Sequence, residues 1–161
     1  MVAGPIGILV EGIQPAAGRA WHGGPTPVGA LRGVTAEQAR WQPGGRRKSI
    51  WTLTLHIAYW KYAVRRLLDG SRRGAFPRGP ANWPALPARL DARHWAADLA
   101  LLREEHQRLV DAASAVEPAL LRRRPPMSKR WTYGELIMGI ALHDAYHTGQ
   151  IQLMKRLWQE R

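Results

Sequence analysis

Two histidines stand four residues apart in the stretch ALHDAYHTGQIQLMKRLW, residues 141–158. On a helix, residues i and i+4 lie one above the other with Cβ atoms about 6 Å apart, so His143 and His147 can offer two neutral nitrogens to one ion. A pair of core histidines hydrogen-bonded to neighbouring helices would show the same spacing, and the pair alone does not separate the two readings. Its surroundings say more. Steps of four and three from Leu136 visit Ile140, His143, His147, Gln150, Met154 and Leu157, the seam that a bundle helix turns toward its partners. An imidazole in such a seam needs its nitrogens satisfied.

A third histidine, His56, flanks the apolar face of another helical stretch, near its middle. Mid-helix residues on facing stripes converge at one level of a bundle, which is where such folds build metal sites. Three histidines with an open position form a coordination set of the catalytic kind. His106 falls on the stripe of a third helix, as a fourth ligand, a partner to a ligand or a base. Asp144 follows a candidate ligand and can orient an imidazole. No HExxH glutamate is present, so His106 and Asp144 are the candidates for acid–base chemistry. Trp60, one turn beyond His56, can wall a pocket. His94 reads as a surface residue.

The elements that must carry these residues are helical. A weak, broken first region covers residues 5–14 and 26–33, with Thr26-Pro27 as N-cap and first turn. Thr35 and Gln38 form an expected capping box. Ser49 starts a second region that Gly70 ends, with Ile50, Leu53, Ile57, Trp60, Val64 and Leu67 on one face. After a Pro/Gly-rich loop, the third region runs from Asp91 to Ala115 with Trp95, Leu99, Leu102, His106 and Leu109 in a stripe. A capping box of Thr132 and Glu135 opens the fourth. No sustained alternating run suggests a sheet. The expected fold is all-α, a four-helix bundle forming one domain over residues 1–161.

The composition sets limits on the chemistry. The 161 residues contain no cysteine, which excludes disulfides, thiolate ligands and a cysteine nucleophile. A transition-metal site must then use His, Asp and Glu. The formal net charge is +12. Its arginines come in short clusters (Arg46-Arg47-Lys48, Arg65-Arg66, Arg72-Arg73, Arg122-Arg123-Arg124), without a long tail or a nucleic-acid-binding signature, so nucleic acid ranks behind a small-molecule partner. The N-terminal apolar stretch lacks a basic flank and is broken by Gly, Pro and Glu11. Neither a signal peptide nor a membrane span is expected, and the cytoplasm is the default location.

With these residues in place, the chain resembles the DinB/YfiT-like superfamily of metal-dependent enzymes. The resemblance rests on SIWTLTLHIAYW, residues 49–60, and HDAYHTGQI, residues 143–151, preceded by AWHGGPTPVGALRGVTAEQARWQP, residues 20–43. It implies a four-helix bundle, often homodimeric, with a divalent metal held by His56, His143 and His147. Zinc or nickel comes first, then iron or manganese. It also implies an activity such as transfer of a low-molecular-weight thiol to an electrophile, or hydrolysis. A metal-binding stress-response protein without catalysis is the alternative. The chain departs from the family at Gly4, Pro5, Gly12 and Pro15, which interrupt the first helix. His22 is a further candidate near the site.

Overall fold

The computed structural model describes residues 4–16, 18, 23–44 and 47–161. His22 and Arg46, both noted in the sequence, lie outside them. Among the described residues the helices are α1 (Gly4–Ile13), α2 (Pro27–Ala30), α3 (Ala36–Arg40), α4 (Ile50–Asp69), α5 (Ala92–Ser114) and α6 (Tyr133–Gln159), with a 3₁₀ turn at Pro118–Leu120. The fold is all-α. Helix α1 packs on α5 and α6, and α4 packs on the same two, which closes a four-helix ring. Helices α2 and α3 are short pieces laid on α6 and on α4 and α5.

Local chemistry explains the ends. The Ser49 hydroxyl accepts from Thr52 N at 3.1 Å, and Gly70 ends α4 in the left-handed conformation at φ 71°. Asp91 caps α5 by accepting from His94 N. Thr132 and Glu135 complete both halves of the capping box that starts α6. At Thr35 only half of the expected box forms, its hydroxyl accepting from Gln38 N.

Helix α1 is less broken than its sequence suggests. Pro5 lies in the first turn, where a missing N–H costs nothing. At Gly12 a Cβ would come within 3.4 Å of Ala141 Cβ, so this glycine lets α1 approach α6 closely. Pro15 lies beyond the last helical residue.

The core has two apolar halves. One gathers Trp51, Leu55, Trp95, Leu102 and Ile151, and the other Ile6, Ile13, Val64, Leu109 and Ile137. Between them Lys61 and Asp144 form a fully buried ion pair. Burial on α4 is broader than one stripe, because α3, α5, α6 and the long loop after Gly70 surround it. Trp60, expected on that stripe, is 36% exposed instead and donates its indole N–H to Asn82 Oδ1.

Candidate metal centre

His56 projects from the middle of α4 toward His143 and His147 on successive turns of α6. One ligand nitrogen from each of the three lies within 4.8 Å of the others. The Nε2 atoms of His56 and His143 are 3.1 Å apart. Ring centroids are separated by 5.0 Å for His56 and His143, 4.7 Å for His56 and His147, and 4.4 Å for His143 and His147.

The loop between α4 and α5 holds the His56 ring. Its Nδ1 bonds the backbone carbonyl of Asn82. A carbonyl only accepts, so the ring proton sits on Nδ1 and Nε2 is bare. Asn82 adopts φ 68°, a left-handed conformation that asparagine tolerates better than most residues. The next residue, Trp83, stacks on the imidazole at 3.8 Å and 11°. His147 Nδ1 meets Gln150 Oε1 at 2.7 Å, which likewise directs its proton away from the cluster.

Burial favours the neutral form of the His56 and His147 rings. Burial pushes His56 from 6.5 down to about 4, against the raising effect of its bond to Asn82. Burial also lowers His147, opposed by Gln150. Neutral imidazole is the ligating form. Nitrogens bound at about 2.0–2.1 Å in a tetrahedral set lie about 3.4 Å from one another, close to the 3.1 Å found between His56 and His143. The donor set therefore fits a divalent transition metal.

His106 and Asp144 do not belong to this group. His106 Nε2 meets Gln14 Oε1 at 3.1 Å, and burial lowers the ring to about 4, with the Lys61 ammonium acting in the same direction. Asp144 pairs with Lys61. Burial would raise its carboxyl, but the Lys61 ammonium, helped by His143, holds it below the ordinary carboxylate value. Tyr146 packs edge-on against His147 at 4.9 Å, although its side chain is largely exposed. His94 is bonded to Asp91 at the start of α5, away from the cluster.

Beside His143 an apolar groove of about 420 Å³ opens along α6, walled by Trp60, Trp131, Met138 and Leu142. Its size lies within the usual range of small-molecule sites.

The sequence reading passed over Lys61, Asn82, Trp83 and Gln14. Lys61 left a trace, since Ile50, Thr54, Ile57, Lys61, Val64 and Leu68 follow steps of four and three through a charged residue. Asn82 and Trp83 left none, because a loop residue carries no periodicity.

The family described as the DinB superfamily matches residues 28–151, more than half of the chain. No curated protein and no solved structure matches it.

Proposed function

The chain belongs to the DinB superfamily, and on that footing we propose that it binds one divalent metal through His56, His143 and His147 and acts on a small molecule. The observation that carries this reading is the convergence of three imidazoles, of which His56 and His147 have their outer nitrogens already bonded, leaving the inner nitrogens without a proton of their own. When bound, such an ion supplies Lewis acidity and favours the deprotonated form of a thiol or water.

The chain's own residues suit thiol transfer better than hydrolysis. The carboxylate beside the histidines, Asp144, is buried and engaged by Lys61, so it is poorly placed to take a proton from an attacking water. The groove beside His143 offers indole and aliphatic walls that would exclude water from an apolar electrophile. With no cysteine in the chain, the thiol comes as a separate low-molecular-weight cosubstrate.

The experiment mixes zinc- or nickel-loaded protein with a low-molecular-weight thiol and an aryl electrophile and follows loss of free thiol. Faster loss than in buffer, abolished by His147→Ala, is expected. Equal rates with and without protein across a panel of thiols would leave the non-catalytic metal-binding reading in its place.

Self-association is part of the proposal. On α6 the exposed residues Met138, Leu142, Tyr146 and Leu153 form one outward stripe. An antiparallel pair of α6 helices with its dyad between Ala145 and Tyr146 places Met138 opposite Leu153, Leu142 opposite Gly149, and Glu135 opposite Arg156. Such a face pairs apolar residues with small or apolar ones and opposite charges at its ends, as a two-fold contact requires. No helix of the described residues is long and apolar enough to cross a membrane.

A further inference from the structure

Four buried side-chain atoms have no hydrogen-bond partner among the described residues: His106 Nδ1, His143 Nδ1, Asp144 Oδ1 and Thr148 Oγ1. Buried polar atoms left unpaired are rare, and each asks for an explanation. Three of the four belong to residues that meet around the Lys61–Asp144 pair, and their donor and acceptor senses are mutually consistent.

The known bonds set the directions. Gln14 Oε1 can only accept, so His106 Nε2 carries the proton at this 3.1 Å contact and Nδ1 is an acceptor. Lys61 has three N–H donors and no acceptor, and Asp144 Oδ2 takes one of them. Asp144 Oδ1 can only accept, so the partner it needs is an N–H.

We propose that Gln14, His106, Lys61 and Asp144 form one directional hydrogen-bond chain that ends on His143 and fixes which of its nitrogens faces the metal site. In this chain Lys61 donates to Asp144 Oδ2 and offers a second N–H toward His106 Nδ1, a contact not closed in this structure. His143 Nδ1–H donates to Asp144 Oδ1. With a cation at the site His143 Nε2 is bare beside the bare His56 Nε2; without one, a proton on His143 Nε2 bridges this contact. The chain draws one residue from each of α4, α5 and α6 and begins at Gln14, just past the end of α1, so the packing of the whole bundle reports on the orientation of one ligand. The electrostatics agree: Lys61 already acts on His106, and His143 on Asp144. Thr148 Oγ1 stays outside the chain.

Lys61 and Asp144 are positioning residues in this scheme, and the inference rests on the three-histidine metal reading. An ion pair that serves only to register the helices predicts something different. Replacing both partners with apolar residues of similar volume is often neutral or stabilising for the fold. The double variant Lys61→Met/Asp144→Leu therefore separates the roles. It should retain or exceed the wild-type melting temperature while its zinc affinity falls about 10- to 100-fold, the usual loss when a ligand's orienting partner is removed. A folded double variant with wild-type zinc affinity overturns the proposal.

A second measurement needs no variant. In zinc-loaded wild-type protein at neutral pH, the ¹⁵N shifts of His143 should show a protonated Nδ1 and a zinc-bound Nε2, and a zinc-bound Nδ1 overturns the proposal even if the variant fails to fold. Failure of wild-type protein to bind zinc at all would overturn the metal reading and the proposal with it, whereas zinc held through His143 Nδ1 overturns the proposal alone.

Discussion

The Nε2 atoms of His56 and His143 face each other at 3.1 Å across the α4–α6 interface, although the residues are 87 positions apart in the chain. His56 has spent its only proton on the Asn82 carbonyl, so a lone pair points at the His143 ring. Such a pair of nitrogens holds either one shared proton or one shared cation. The third imidazole at the same spot favours the cation.

The backbone of Asn82, rather than its side chain, orients His56. Asn82→Gly keeps the carbonyl and readily adopts φ 68°, so zinc affinity should stay within a few-fold of wild type. Asn82→Val, a β-branched residue, resists that conformation and should weaken zinc binding by about tenfold or more. Isothermal titration of both variants checks this, and equal affinities would show that the loop does not hold the ligand.

Acid should destabilise the metal-free protein in a defined window. His56 and His106 both titrate at about 4 in the folded chain and at 6.5 when free. As pH falls below 6.5 the unfolded chain takes up protons first. The stabilising contribution is complete above about 6.5 and is lost progressively toward pH 4. Melting temperatures measured from pH 7.5 to 4 should be level at the upper end and fall through that window. Conversion of His106 to Gln should shallow the slope, and a melting temperature that rises on acidification would contradict the assignment.

If α6 pairs with a second copy, a charge in the stripe should separate them. Leu142→Glu puts a carboxylate inside the contact, one turn from its dyad, and should shift the protein from dimer to monomer by light scattering, with little change in its circular dichroism. A single monomeric mass for wild-type protein at micromolar concentration would remove the pairing.

The apolar half of the core near Trp51 should carry ordinary packing energies. Leu102 is fully buried among Trp51, Trp95 and Leu55, so Leu102→Ala should cost about 2–5 kcal/mol. Chemical denaturation measures it, and a loss below about 1 kcal/mol would mean that the interior collapses around the gap.

Much of this architecture could be read in the chain because helices announce themselves twice, at their caps and in their period. Ser49, Gly70, Asp91 and Thr132 each act where their chemistry predicts. The three histidines were legible because two share a helical turn and the third sits mid-helix on a facing element. The stripes were read too narrowly. On α4 the expected stripe takes in Trp60 and passes over Lys61, yet Lys61 is the one fully buried, because hydrophobicity alone ranks an indole above an ammonium. A buried lysine is stable only with a partner, and that partner, Asp144, is 83 residues away in sequence. Asn82 and Trp83 were illegible for another reason: they reach His56 through the path of a loop, which no periodicity encodes.

The most direct test is metal content. Protein purified without a histidine tag and reconstituted with zinc or nickel should hold about one equivalent per chain by elemental analysis, as one three-histidine site requires. His56→Ala and His147→Ala should each lose it while remaining folded. Wild-type protein that takes up no metal, or two alanine variants that retain it fully, would contradict the account.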